Sequence, residues 1–176
     1  GWVQSIAFSS DGQLLASGGS DQSTCVWDVA TGTLRQRIAD PAGNVRAVAI
    51  HPHAPVLAST GDQVIRLWDL ESGQFRMSLE GHSAPIMALA YSPNGKLLAS
   101  GSIDQSVRLW ETESGRCVAI LSGHESEVRC LTFSPDGELL ASGSADYTVR
   151  LWDIRVAQAN DPLASSIRYT LHGHVK

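Results

Sequence analysis

Residues 81–122 read GHSAPIMALAYSPNGKLLASGSIDQSVRLWETESGRCVAILS, and this stretch decides the fold. Ile86 to Tyr91 is apolar and short enough for one strand. Ser92-Pro93-Asn94-Gly95 follows, with Pro early and Asn-Gly late, the chemistry of a tight reversal. Lys96 to Ser102 supplies a second strand, and Asp104-Gln105 a second turn. Ser106 to Trp110 alternates polar and apolar, as a strand with one buried face does. Glu113-Ser114-Gly115 turns the chain again, and Arg116 to Leu121 makes a fourth strand. No part of the stretch carries a helical period.

The same phrase recurs. Trp27, Trp68, Trp110 and Trp152 stand at intervals of 41, 42 and 42 residues, each inside a similar strand (STCVWDV, VIRLWDL, VRLWET, VRLWDI). A fixed period of this size means one supersecondary unit repeated down the chain. Four short antiparallel strands per period read as one blade of a β-propeller, so the expected class is all-β.

The repeated motifs are specific. Gly-His pairs stand at 81–82, 123–124 and 173–174. The turn phrase appears at Ser9-Ser10-Asp11-Gly12, Ser92-Pro93-Asn94-Gly95 and Ser134-Pro135-Asp136-Gly137. Leu-Ala-Ser closes at Ser17, Ser59, Ser100 and Ser142, and an Asp lies six residues before each Trp, at Asp21, Asp62, Asp104 and Asp146. In these residues the chain resembles the WD-repeat family over essentially its whole length. The resemblance implies four blades of four strands, at about residues 1–39, 40–80, 81–122 and 123–172, with 173–176 opening a further repeat.

The family's rings have more blades than four, and four open blades would leave two apolar faces uncovered, an aggregation liability. Two arrangements would cover them. Either the remaining blades lie in a longer polypeptide, or two copies join head to tail into one eight-bladed homodimeric ring, which a twofold axis closes. The second is favoured, because Gly173-His174-Val175-Lys176 followed by Gly1-Trp2-Val3 reads as a near-standard start of a blade.

His, Ser, Asp and Trp together invite a catalytic reading. The resemblance instead implies a structural hydrogen-bond chain within each blade: His82, Ser100, Asp104 and Trp110 in the third, His124, Ser142, Asp146 and Trp152 in the fourth. A buried indole N–H and a buried imidazole each need a partner. The first blade has Ser17, Asp21 and Trp27 and would borrow His174 from a neighbouring copy. The second carries Asp40-Pro41 in place of Gly-His and a shorter turn at Gly61-Asp62, so its chain is expected to be incomplete.

Carried over by position, the partner-binding face comprises Gln4, Arg46, Met87 and Arg129, with Ser20, Ile103 and Ala145 beside them and Trp2, Asn44 and Glu127 on adjoining loops. Arg, Met and Trp are side chains that anchor interfaces; the plainer reading pairs the arginines with acids such as Glu127. Glu125 and Glu127 are too few for hydrolysis by paired acids. His51-Pro52-His53 and His172-Gly173-His174 would need further ligands converging from elsewhere to hold a metal, and the first pair, placed where other blades have a plain turn, reads as solvated loop residues. No cofactor or metal is expected. The loop from Val156 to Ser165, which lengthens the Gly-His interval from 42 to 50, reads as a tolerated rim insertion.

Of the 176 residues 43% are hydrophobic and 18% charged, a globular balance, and the net charge of −5 gives no electrostatic footprint for nucleic acid. Neither a leader nor a spanning apolar run is evident, so no membrane partner is expected. Cys25, Cys117 and Cys130 have no metal spacing and read as small buried hydrophobes in a reducing, cytoplasmic setting. The function that follows is a non-catalytic scaffold for a protein or peptide partner. The alternative is a self-assembling ring, or a segment of a larger multidomain sensor, with no ligand of its own.

Overall fold

The computed structural model describes residues 1–41, 43–155 and 167–173. Among them, sixteen strands form four antiparallel sheets of four, each in sequential order. The first holds β1 (Val3–Phe8), β2 (Leu14–Gly19), β3 (Ser23–Asp28) and β4 (Leu34–Ala39). The second holds β5 (Val45–Ile50), β6 (Val56–Gly61), β7 (Val64–Asp69) and β8 (Phe75–Leu79). The third comprises β9 (Ile86–Tyr91), β10 (Leu97–Ser102), β11 (Val107–Glu111) and β12 (Cys117–Leu121). The fourth comprises β13 (Val128–Phe133), β14 (Leu139–Ser144), β15 (Thr148–Asp153) and β16 (Ile167–His172).

The turns follow from their residues. Ser92 Oγ accepts the Leu97 amide at 3.0 Å and donates to Asn94 Oδ1 at 2.8 Å, and Ser9 and Ser134 repeat the pattern. Gly12, Gly95 and Gly137 close these turns at φ near +70°, where a side chain would be strained. In the second sheet His51 takes the serine's place, its Nδ1 accepting the His53 and Ala54 amides at 3.0 and 2.9 Å. It is therefore a half-buried turn cap, not the solvated loop residue expected, because a neutral imidazole nitrogen accepts as a hydroxyl does.

The chain forms two compact units, Gly1–Ile86 and Met87–Lys176. In the first, Ala16, Val26 and Ile38 of the leading sheet pack with Val45, Val48, Ile50, Leu57 and Trp68 of the following one. In the second unit, Leu97, Ala99, Val107, Leu109 and Leu121 pack with Val128, Leu140, Trp152 and Ile154. Within each unit the leading sheet thus turns a forward face to its successor, and the following sheet turns a rear face to its predecessor. Glycine makes the seam possible: a Cβ on Gly18 would lie 2.5 Å from Val45 Cγ1, and one on Gly101 2.6 Å from Val128 Cγ1. Each valine so seated is fully buried, worth roughly 1.5–3 kcal/mol.

The cysteines depart from expectation. Cys25 and Cys117 are half-buried and Cys130 is exposed, because β13 presents Cys130 on the sheet's forward face, which no described residue covers. Val156 to Ser165 and residues 174–176 lie outside the described residues.

Candidate functional site

The fourth sheet assembles the expected four residues. Asp146 Oδ2 lies 2.7 Å from His124 Nδ1, His124 Nε2 lies 2.7 Å from Ser142 Oγ, and Trp152 Nε1 donates to the same oxygen at 2.8 Å. The partners fix the protons: Nδ1–H donates to the carboxylate, and Nε2 accepts from the Ser142 hydroxyl. Burial alone would push the Asp146 carboxyl up, but hydrogen bonds from Thr148, His124 and the Glu125 amide outweigh it and hold it well below the usual range. Bond for bond this copies a nucleophilic triad. Ser142, however, is 1% exposed, and its Oγ already accepts the Trp152 indole N–H. The group joins the two middle strands, β14 and β15, to the loop before β13 and the turn between them, with the His124 and Asp146 side chains only 1% and 7% exposed.

The second sheet corrects the expectation of an incomplete chain. Trp68 Nε1 donates to Ser59 Oγ at 2.8 Å, and Ser59 Oγ donates to Asp40 Oδ2 at 3.2 Å. Arg66 Nη1 donates to Asp40 Oδ1 at 2.7 Å, and the Asp40 side chain is 1% exposed. An Asp–Arg pair thus stands in for the His–Asp pair. The fourth sheet shows why Arg can reach: a Cβ on Gly123, the glycine of the Gly-His pair, would fall 2.3 Å from Arg150 Nη1. A side chain at that position projects toward the arginine two residues before the Trp. Asp62, by contrast, is not the counterpart of Asp146. The shortened hairpin puts it at φ +51°, the conformation of Gln22, Gln105 and Tyr147, and its carboxylate meets Arg46 at 3.3 Å.

In the first sheet Trp27 Nε1 donates to Ser17 Oγ at 2.9 Å, while Asp21 accepts from Ser23 at 2.9 Å and from Arg37 at 2.8 Å. The Ser23 hydroxyl is the leading influence that lowers the Asp21 carboxyl's pKa. His174 lies outside the described residues. In the third sheet Trp110 Nε1 donates to Ser100 Oγ at 2.8 Å, His82 is buried, and Asp104 accepts from Ser106 at 2.6 Å. Ser23, Ser106 and Thr148, which lock the turn aspartates, went unnoticed in the sequence, although each sits two residues after its Asp.

The proposed binding residues gather at one end of their own sheets. A β-bulge interrupts β1 between Val3 and Ser5, β5 between Val45 and Val48, and β13 between Val128 and Cys130. Gln4, Arg46 and Arg129 sit inside these bulges, which re-aim a side chain off the pleat. Trp2 and Ser20 are tied by Trp2 N to Ser20 Oγ at 2.7 Å and Ser20 N to Trp2 O at 2.9 Å, leaving the indole 82% exposed. Ala145 N donates to Glu127 O at 2.9 Å, and Arg129 meets Glu127 at 2.5 Å. Asn44, Met87 and Ile103 are half-buried on their own sheets. Both arginines therefore already hold an acid, Asp62 or Glu127, each pair reaching solvent. Tyr147, exposed at φ +68°, joins this end of the fourth sheet and was missed, since the turn pattern gives no sign of which side chain stands out.

Among the described residues no three His, Cys, Asp or Glu side chains converge as metal ligands, and no helix is long and apolar enough to cross a membrane. Repeated four-stranded sheets, a Trp–Ser hydrogen bond within each and variable residues at one end define a repeat protein built of β-propeller-type blades. The family model described as WD domain, G-beta repeat, matches four times, at residues 1–28, 32–69, 73–111 and 115–153, and the chain belongs to that family. It is similar to the U5 small nuclear ribonucleoprotein 40 kDa protein of Pongo abelii, 36% identical over 53 residues. That match takes in 30% of this chain and 15% of the relative.

Proposed function

We propose that this chain is a non-catalytic protein-interaction scaffold that presents the bulge and loop residues at one end of its sheets to a peptide or protein partner. The bulges carry this reading, because in each of three sheets a rigid ladder holds one residue, Gln4, Arg46 or Arg129, off the pleat. The solvent-reaching ion pairs of the two arginines can be exchanged for acidic groups on a partner at little cost, since exposed pairs are worth about 0–1 kcal/mol. A relative named as a ribonucleoprotein component fits a role in assembly. The free thiols fit a reducing, cytoplasmic setting.

Selection of binders from a random peptide library on the immobilised chain tests this. Selected peptides should carry acidic residues, and Arg46→Ala with Arg129→Ala should weaken them at least tenfold. Peptides that bind both variants as well as the parent would refute the assignment of this face.

A second reading is favoured by the apolar hollow of about 280 Å³ on the rear of the first sheet, lined by Phe8, Leu15, Trp27 and Val29. In it, two copies close head to tail into one eight-bladed ring. Light scattering over a dilution series should then give twice the 18.8 kDa chain mass; a single-copy mass throughout would exclude it.

A further inference from the structure

We propose that the forward face of the fourth sheet binds the rear face of the first sheet of a second copy of this chain, with Val3 seating on Gly143 as Val45 seats on Gly18 and Val128 on Gly101. This rests on the head-to-tail reading and adds which residues meet. The seats are equivalent by register: Gly18 pairs with Thr24, Gly101 with Val107, and Gly143 with Val149 across corresponding strands. Gly18 and Gly101 are each closed by a valine of the following sheet, whereas a Cβ on Gly143 would meet only Cys130 of its own sheet. Val3, the counterpart of those valines at the head of β1, is 68% exposed.

The surrounding positions match in the same way. Leu121 is 3% exposed on the forward face of the third sheet, and its counterpart Leu171 on the fourth is 48% exposed. Ile154 is 3% exposed on the rear of the fourth sheet, and its counterpart Val29 on the first is 43% exposed. Leu14 packs against the cluster that holds Leu57 and Trp68, so Leu139 of the second copy would fill the hollow over Leu15 and Trp27. Both faces are mainly apolar, both correspond in register to faces already buried elsewhere in the chain, and their large apolar residues Val3, Val29 and Leu171 are exposed. Burying them follows the same hydrophobic gain as the internal seams.

A cross-link reads the register directly. Within the chain, Ser5 Oγ accepts the Val48 amide at 3.2 Å; Cys130 stands at the place of Ser5, and Ile6 at that of Val48. An Ile6→Cys variant, treated with diamide to take up the two thiol hydrogens, should form a disulfide between the introduced thiol and Cys130 of a second copy. Peptide mapping should find that bond, and adding Cys130→Ser should abolish it. A two-copy species that lacks this bond overturns the seat but leaves head-to-tail pairing standing. A single-copy species with no bond removes both, and an intrachain bond overturns the second copy. A ladder of linked multimers supports the seat and refutes a closed ring. Independently, Val3→Arg, at an exposed position, should raise the dissociation constant at least tenfold with unchanged circular dichroism. An unchanged constant overturns the proposal.

Discussion

The Asp40–Arg66 pair makes the sharpest prediction about how the second sheet holds together. Arg66→Met removes the guanidinium 2.7 Å from a carboxylate that is 1% exposed, while the Ser59 hydroxyl stays at 3.2 Å. Breaking a buried pair from one side costs about 3–5 kcal/mol. The surviving Ser59 bond puts the loss near the lower end, about 3 kcal/mol, or a fall in Tm of roughly 6–12 °C for a chain of this length. Asp40→Asn should cost less, about 1–2 kcal/mol, because the Arg66 side chain is 16% exposed and can turn its charge toward water. With both substitutions no buried charge is left unbalanced, so the double variant should lose only about 2 kcal/mol, a coupling of about 2–3 kcal/mol. Urea unfolding followed by tryptophan emission suits the measurement, since Trp68 donates to Ser59 within the same chain of bonds. Additive single losses to within about 0.5 kcal/mol would refute the claim that this pair replaces His–Asp.

Further outcomes follow from the same geometry. Ser142→Ala should cost roughly 2–4 kcal/mol, because it strands the Trp152 indole N–H and His124 Nε2 in a dry site, and an active-serine phosphonate probe should fail to label the parent. The Asp146 carboxyl is held below its unfolded value, so its stabilisation is present above about pH 4 and is lost as pH falls further. Asp146→Asn should flatten that acid limb of the Tm profile. Gln105→Gly relieves a φ of +70°, worth about 1–2 kcal/mol, against roughly 0.5–1 kcal/mol of added chain entropy, so Tm should rise slightly. Gly18→Val would drive a methyl group into Val45 and should destabilise by about 1–3 kcal/mol or more, seen as a lower urea midpoint.

The fourth sheet's hydrogen-bond chain was legible because each member sits at a fixed offset within one period, and the ladder then brings those offsets together. Asp40–Arg66 was not legible in that way. The two residues are 26 apart, and although Arg66 recurs as Arg108 and Arg150, Asp40 stands where the other repeats have glycine; only the fold reveals that the glycine's direction aims at the arginine. Asp62 misled for the complementary reason. Its spacing to Trp68 is that of the other aspartates, but the hairpin lost a residue on its other side, so it landed in the left-handed position.

Sequence by itself determined the number of strands, their antiparallel order, the turn chemistry and the membership of the family, since all of these repeat with a period short enough to be read locally. Tertiary structure alone decided where the bulges aim Gln4, Arg46 and Arg129, and which of the described apolar residues, Cys130 among them, are exposed. Those properties depend on what packs against a strand. Equivalent residues such as Leu121 and Leu171 are chemically the same and differ only in their neighbours.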